Sequence, residues 1–290
     1  MTLLISFFGG NMKRFLTPTI FILLIFTVVA FAGVTNLDSL TLSSNLIVAG
    51  DVTITGQLNA SSAIKPALGV RVDQFHTYFN DFHFTTINET DHGFVLNANT
   101  NDFAALVGIN GLIQATTAAS DNDNSQIVVN VPVNAAKGGL VFEASIAIGT
   151  SIEAKCVFVG LTDVTTLEMP AEVATTTITT NASDLIGFVY DTDATTDQWY
   201  VVGCKNNTDA TGSAITGVAP VANTYAIFRI EVAASGASAN FYINGVLVGA
   251  TTANTVTATT SLYPAINIES RDAVGVSNLK SDYIYCGHTR

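Results

Sequence analysis

Apolar and polar residues alternate along most of the chain, most clearly within Phe228–Ala250. The string FRIEV at 228–232 places an apolar residue at every second position, and the same period returns in the two apolar runs that follow. This period puts the apolar side chains on one face of a β-strand, as in a half-buried sheet. Residues 233–238 are rich in Gly, Ser and Ala, and Asn244-Gly245 is a strong hairpin signal. The pattern predicts three consecutive antiparallel strands.

Similar alternation predicts short strands throughout residues 69–290. Beyond the N-terminal region the chain has no sustained helical spacing of apolar residues, so we expect almost no helix. We expect roughly twelve to fourteen strands, the number needed for an all-β, two-sheet antiparallel jelly-roll sandwich. The Thr-rich segment Thr162–Ser183 is too long for a simple connection, which predicts a functional rim loop or additional edge strands.

Residues 1–32 have the features of a secretory signal peptide. A Lys-Arg pair precedes an apolar run, and Ala30 and Ala32 form an A-x-A motif that predicts cleavage before Gly33. The run is about as short as a segment that spans a bilayer can be, so an uncleaved membrane anchor is the alternative. Residues ahead of Met12 make a poor start for a signal peptide, and we expect translation to begin at Met12.

Residues 33–62 are predicted to form a β stalk. Within 39–62 apolar pairs recur every six residues, with Gly at the corners. One short strand and turn cannot bury its apolar face alone, so the repeats must stack or pair with other chains. We therefore expect a homotrimer through 39–62, followed by a linker at 63–68 and a sandwich domain at 69–290. An ordinary pair of hairpins packed on that domain is the alternative.

Composition narrows the classes of partner. The chain has 290 residues, 12% charged, and a net charge of -12. Such an acidic protein repels phosphate backbones, so we expect no nucleic-acid partner, and membrane contact only through the N-terminal segment. Cys156, Cys204 and Cys286 are an odd number, without metal-ligand spacing. They are either buried free thiols or include a Cys156–Cys204 disulfide between neighbouring strands.

The string FRIEV…NFYINGVLVG, and the longer run Leu140–Val248, resemble the concanavalin A-like lectin/glucanase and laminin-G sandwich. The most similar versions are lectin-like domains of tailed-bacteriophage structural proteins. This resemblance implies a virion-associated decoration or fibre protein that contacts other virion proteins and binds host glycans. The predicted signal peptide favours the alternative, a secreted bacterial surface lectin or adhesin. The expected localisation is therefore exported and extracellular, or virion-associated.

We expect the protein not to be an enzyme. Sandwich glucanases carry E-x-D-x-x-E on one strand, which places three carboxylates on one face, and this motif is absent. Glu269 and Asp272 are three residues apart and would lie on opposite faces of a strand. A glycan-cleaving enzyme is the less favoured alternative.

Candidate glycan-binding residues surround the single tryptophan. Trp199 and Tyr200 are adjacent, so in a strand they face opposite ways. Trp199 would stack on a pyranose ring, with hydrogen bonds from Asp193, Asp197 or Asn206. The alternative is that Trp199 fills the core, where large aromatic residues usually lie.

Asp191, Asp193 and Asp197 form the oxygen-rich string DTDATTD, which is a candidate calcium loop. The resemblance implies a calcium ion that shapes a rim loop. The alternative is an ordinary turn, since Asp and Thr are common turn residues.

Overall fold

The computed structural model describes residues 75–82, 93–99, 104–106, 111–272 and 277–289. The chain divides into two units, Met1–Ala67 and Leu68–Arg290, and every described residue belongs to the second. The predicted signal peptide or anchor, the stalk with its trimer contacts, and the linker lie outside the described residues. Within the described part, no helix is long and apolar enough to cross a membrane.

The regular secondary structure of the described residues is β-strand, apart from one short 3-10 helix, Ala135–Lys137. In chain order the strands are β1 Phe75–Asn80, β2 Phe94–Ala98, β3 Ala104–Leu106, β4 Leu112–Thr116, β5 Asn124–Val129, β6 Leu140–Ile148, β7 Lys155–Thr162, β8 Ala171–Ala174, β9 Thr177–Thr180, β10 Leu185–Asp191, β11 Trp199–Lys205, β12 Thr208–Asp209, β13 Ala214–Ile215, β14 Ala226–Val232, β15 Ala239–Ile243, β16 Val246–Thr251, β17 Tyr263–Ser270 and β18 Asn278–Thr289.

Two antiparallel sheets of eight strands make the sandwich. The first sheet has the order β16-β15-β14-β6-β18-β4-β3, with β1 also paired to β18. The second has the order β12-β11-β10-β7-β17-β5-β2, with β13 also paired to β11. The predicted all-β, two-sheet antiparallel sandwich is confirmed. So are the three consecutive strands β14, β15 and β16, whose last turn uses Asn244 and Gly245 at positive φ.

The core lies between the inner faces of the sheets. Phe188 of β10 meets Phe228 of β14 edge to face, with ring centroids 5.0 Å apart. Phe241 of β15 meets the same Phe188 ring at 5.3 Å. Each of these phenylalanines is at most 1% exposed. Edge-to-face rings of this kind stabilise the contact beyond the burial of their area.

The outer face of the second sheet is also buried. It is covered by residues 163–183, which include the separate hairpin β8–β9 and which we call the cover segment. This segment is neither a rim loop nor an edge of the main sheets, because its apolar side chains pack on the sheet. The resulting second apolar layer contains Val128, Cys156, Phe158, Met169, Ala171, Val173, Ala182, Leu185, Val189, Ala194, Tyr200, Val202, Cys204 and Ala265.

The three cysteines are buried free thiols, as one of the two alternatives predicted. Cys156 lies on β7 and Cys204 on β11, and β10 lies between these strands. Their strands are not neighbours, so the condition for a Cys156–Cys204 disulfide is not met.

Candidate functional site

The outer face of the first sheet carries a row of aromatic and charged residues. In β14 the apolar residues face the core, so Arg229 faces outward. The strand register places Arg229 opposite both Tyr242 of β15 and Glu143 of β6. It also places Tyr285 of β18 opposite Glu143, and Phe79 of β1 opposite Tyr285. Five neighbouring strands spaced about 4.8 Å apart make this row about 19 Å long.

Hydrogen bonds connect the polar side chains of this face. Glu143 accepts from the Tyr283 hydroxyl at 2.7 Å through Oε1 and from Arg229 Nη1 at 3.2 Å through Oε2. Glu231 accepts from Arg229 Nε at 2.9 Å through Oε1 and from the Tyr242 hydroxyl at 3.3 Å through Oε2. Each carboxylate oxygen of Glu143 and Glu231 therefore accepts a hydrogen bond, and the Arg229 guanidinium bridges the two acids.

An exposed aromatic ring extends this chain of contacts. Phe79 is 60% exposed, and its ring centroid lies 5.9 Å from that of Tyr283. Contacts thus run without a break from β1 to β15. We call these residues the outer-face network: Phe79, Tyr283, Glu143, Arg229, Glu231 and Tyr242.

Two hydrogen-bond donors of the network have raised pKa values. Burial and the hydrogen bond to Glu143 raise the pKa of Tyr283 further above neutral pH. Burial alone would lower the pKa of Arg229, but the hydrogen bonds that its guanidinium donates to Glu231 and Glu143 raise the pKa overall. With two carboxylates around one guanidinium, the centre of the network is net negative.

The structure separates the predicted glycan-binding residues. Trp199 is 2% exposed, and its ring centroid lies 4.5 Å from that of Phe228 and 5.6 Å from that of Tyr190. Tyr200 is 5% exposed and belongs to the apolar layer beneath the cover segment. Trp199 therefore fills the core, which was the alternative prediction. Neither Trp199 nor Tyr200 has an open ring face on which a pyranose could stack.

The polar members of that predicted site are exposed but have other surroundings. Asp193 lies 3.7 Å from Arg271 Nε. Asp197 is exposed in the turn between β10 and β11. Asn206 is exposed at positive φ in the turn after β11, where its backbone N–H donates to Asp184 at 3.4 Å. No indole face lies open beside them, because the Trp199 side chain points into the core.

Asp191, the first residue of the predicted calcium loop, binds an arginine. Its carboxylate, fully buried, accepts from Arg271 Nε at 3.1 Å and from Nη2 at 2.7 Å. The backbone N–H groups of Val173 and Asp193 donate to the same carboxylate. Among the described residues, no group of three or more His, Cys, Asp and Glu is arranged to hold a metal ion. The cationic partner of this aspartate is therefore a side chain that the sequence pattern did not indicate.

Arg271 is the centre of a buried acidic cluster. Besides Asp191, Arg271 pairs with Glu269 through Nη1. Its Nη2 also lies 3.6 Å from Oε1 of Glu172. Asn124 of β5 donates to the other oxygen of Glu269 at 2.8 Å. Burial raises the pKa of Glu269 to about 7; Arg271 opposes this shift, and the nearby carboxylates add to it.

Glu269→Gln should remove a pH dependence of stability. The folded protein holds a proton on Glu269 up to about pH 7, whereas the unfolded chain loses it near pH 4.5. The wild type should therefore lose stability relative to Glu269→Gln as pH rises through this interval, by up to about 3 kcal/mol. Urea unfolding of both proteins at pH 4, 5, 6, 7 and 8 measures the difference. A difference that stays constant with pH would contradict this assignment.

An apolar cleft of about 90 Å³ opens at one end of the sandwich. Trp199, Phe228 and Ile243 border it on the core side, and residues 218–221 and 224–226 border it elsewhere. Its lining is mostly apolar and contains no charged side chain; Thr224, Tyr225 and Asn244 are its polar residues.

Neither a protein-family model nor a curated protein sequence matches the chain. Peanut lectin with a 9mer peptide is similar in structure, with 12% identity, a TM-score of 0.50, and coverage of 74% of this chain and 98% of the lectin. Arcelin-5, a lectin-like defence protein from Phaseolus vulgaris, has 11% identity, a TM-score of 0.48, and coverage of 75% and 100%. The kappa-carrageenase from Pseudoalteromonas carrageenovora with an oligotetrasaccharide of kappa-carrageenan has 11% identity, a TM-score of 0.46, and coverage of 79% and 100%. The two-sheet topology and the likeness to peanut lectin show that the described domain has the concanavalin A-like β-sandwich fold.

Proposed function

We propose that the protein is a non-enzymatic, lectin-like module that binds glycans on the outer-face network. The observation that carries this proposal is the unbroken chain of contacts from Phe79 to Tyr242 across five strands. An exposed ring beside fixed hydrogen-bonding groups offers a sugar both an apolar platform and polar contacts. Such a surface needs little reordering when a ligand binds, which favours affinity.

We place the glycan site on the outer face of the first sheet because the outer face of the second sheet is covered. The outer face of the second sheet is occupied by the cover segment and its apolar layer. On the first sheet, Phe79 is 60% exposed, and the side chain of Arg229 is 38% exposed. Solvent therefore reaches the network directly, and a ligand needs no rearrangement of the fold to meet it.

The role of Arg229 favours binding over catalysis. A glycosidase needs one carboxyl group as proton donor and a second as nucleophile or base. Here a single guanidinium pairs with both Glu143 and Glu231, and a tyrosine hydroxyl donates to each. We propose that both acids serve as hydrogen-bond acceptors. Hydrolysis of a β-glucan by the wild type that disappears in Glu143→Gln or Glu231→Gln would show instead that the protein is an enzyme.

Phe79→Ala should weaken glycan binding about tenfold, because the exposed platform is lost while the fold remains. A panel of immobilised glycans, probed with the full chain, measures the change. The matched control is Val131→Ala, since Val131 is 38% exposed, follows β5 of the second sheet and lies outside both the network and the apolar cleft. Equal binding by Phe79→Ala and the control would place the glycan site elsewhere.

The biological setting is a further proposal, supported by the resemblance of Leu140–Val248 to phage lectin-like domains and by the A-x-A motif. A virion decoration or fibre protein, trimeric through 39–62, is the first candidate, and a secreted bacterial adhesin is the second. Mass spectrometry of phage particles, cell envelope and culture medium separates them. A mature N-terminus at Gly33 in the envelope or medium supports the adhesin. Stoichiometric protein on particles supports the virion component.

A further inference from the structure

We infer that the outer-face network selects an uncharged, hydroxyl-rich glycan chain that lies across the strands, and that it discriminates against sulfated and uronic-acid chains. This inference rests on the proposed glycan-binding function and adds the ligand class and its orientation. Three features of the network lead to it: its unused hydrogen-bonding groups, its charge and its length.

Most of the donors of the network are already used. The hydroxyls of Tyr283 and Tyr242 donate to Glu143 and Glu231, respectively. Arg229 contacts these carboxylates through Nε at 2.9 Å, Nη1 at 3.2 Å and Nη2 at 2.8 Å. About two of the five guanidinium N–H groups remain, whereas the phenolic and carboxylate oxygens keep several free lone pairs. A ligand that donates hydrogen bonds therefore fits better than one that only accepts them.

The charge of the face points to the same class of ligand. Two carboxylates surround one guanidinium at the centre of the network, and the whole chain carries a net charge of -12. A sulfate or carboxylate on the ligand would meet oxygens that cannot donate to it and a field that repels it. Lys280 of β18 is a further cation on this face, but the register places it opposite Ala147 of β6, two outward positions from Glu143, so it lies beside the two acids and not between them.

The length of the row sets the orientation and size of the ligand. Phe79 of β1 stands at one end and Tyr242 of β15 at the other, about 19 Å apart across the strands, and Tyr285 lies one strand in from Phe79. A disaccharide that reaches one end cannot also contact the other. An extended chain perpendicular to the strands meets both aromatic ends and the acidic centre, so affinity should rise with chain length.

The test is calorimetric titration of the full chain with defined oligosaccharides. The neutral probes are cello- and malto-oligosaccharides of two and six sugar units. The anionic probes are a galacturonate hexasaccharide and a chondroitin sulfate hexasaccharide. We expect a neutral hexasaccharide to bind at least tenfold more tightly than its disaccharide, and at least tenfold more tightly than either anionic hexasaccharide. Glu143→Gln combined with Glu231→Gln should narrow the difference in affinity between neutral and anionic probes, whereas Val131→Ala should leave it unchanged.

The possible outcomes test the inferred selectivity separately from the proposed glycan binding. Binding that Phe79→Ala weakens, but that shows no preference for neutral or longer chains, overturns the inference and leaves the proposed function standing. Binding that Phe79→Ala does not change overturns both, because the site is then elsewhere. No heat with any of these probes, and no binding to any glycan of the immobilised panel, also overturns both.

Discussion

Arg271→Met should lower the free energy of unfolding by about 3–5 kcal/mol, because it leaves buried carboxylates without their cation. The Arg271 side chain is 9% exposed, and its partners Asp191 and Glu269 are 0% and 7% exposed. Arg271 follows β17, whereas Asp191 ends β10, so the pair joins strands that are not neighbours in the second sheet. Met preserves most of the apolar stem of Arg, so the loss reports on the charge and its hydrogen bonds.

The matched control for this change is Arg229→Met. Arg229 also pairs with two acids, but its side chain is 38% exposed, and those of Glu143 and Glu231 are 25% and 40% exposed. Exposed ion pairs contribute about 0–1 kcal/mol, so this variant should lose no more than that. Urea unfolding at pH 8 compares the two. Losses of equal size would mean that the Arg271 cluster is no more important to stability than a surface network.

Phe228→Ala should also destabilise the fold by about 3–5 kcal/mol, since it leaves a cavity at the centre of the core. Phe228 is 1% exposed and touches Phe188 and Trp199, with ring centroids 5.0 Å and 4.5 Å away. Both sheets lose contacts at once, because Phe228 belongs to the first sheet and its two partners belong to the second.

Phe79→Ala is the control for Phe228→Ala and should change stability by at most about 0.5 kcal/mol, as is usual for exposed positions. The two variants remove the same side chain, one from the core and one from a surface where it is 60% exposed. Urea unfolding followed by Trp199 fluorescence measures both. If Phe79→Ala proved as destabilising as Phe228→Ala, Phe79 would be a packing residue, and its assignment to the binding surface would be contradicted.

Local patterns were sufficient to predict the long strands, but not all of the short ones. Alternation in FRIEV and the turn at Asn244-Gly245 depend on neighbouring residues only, and β14–β16 form as expected. The structure has more strands than predicted, and the additional ones include two-residue strands such as β12, Thr208–Asp209, and β13, Ala214–Ile215. These two strands are defined by their pairing with β11 and have no alternating pattern of their own.

The binding surface and the ion cluster could not be predicted in this way. Arg229 lies 86 residues from Glu143, Tyr283 lies 140 from Glu143, and Arg271 lies 80 from Asp191. Strand order and register bring these residues together, and alternation specifies neither. Alternation can place Glu143 and Arg229 on the outward faces of their strands, but it cannot identify their partners. The Asp-rich string therefore suggested a calcium loop, whereas the fold supplies an arginine.

The most direct test of the binding surface is a crystal structure of the full chain soaked with a neutral hexasaccharide. We expect the sugar chain to lie across β1, β18, β6, β14 and β15, over Phe79 at one end and Tyr242 at the other. Sugar bound instead at the Asp193–Asp197 turn or in the cleft beside Trp199 would contradict the assignment of glycan binding to the outer-face network.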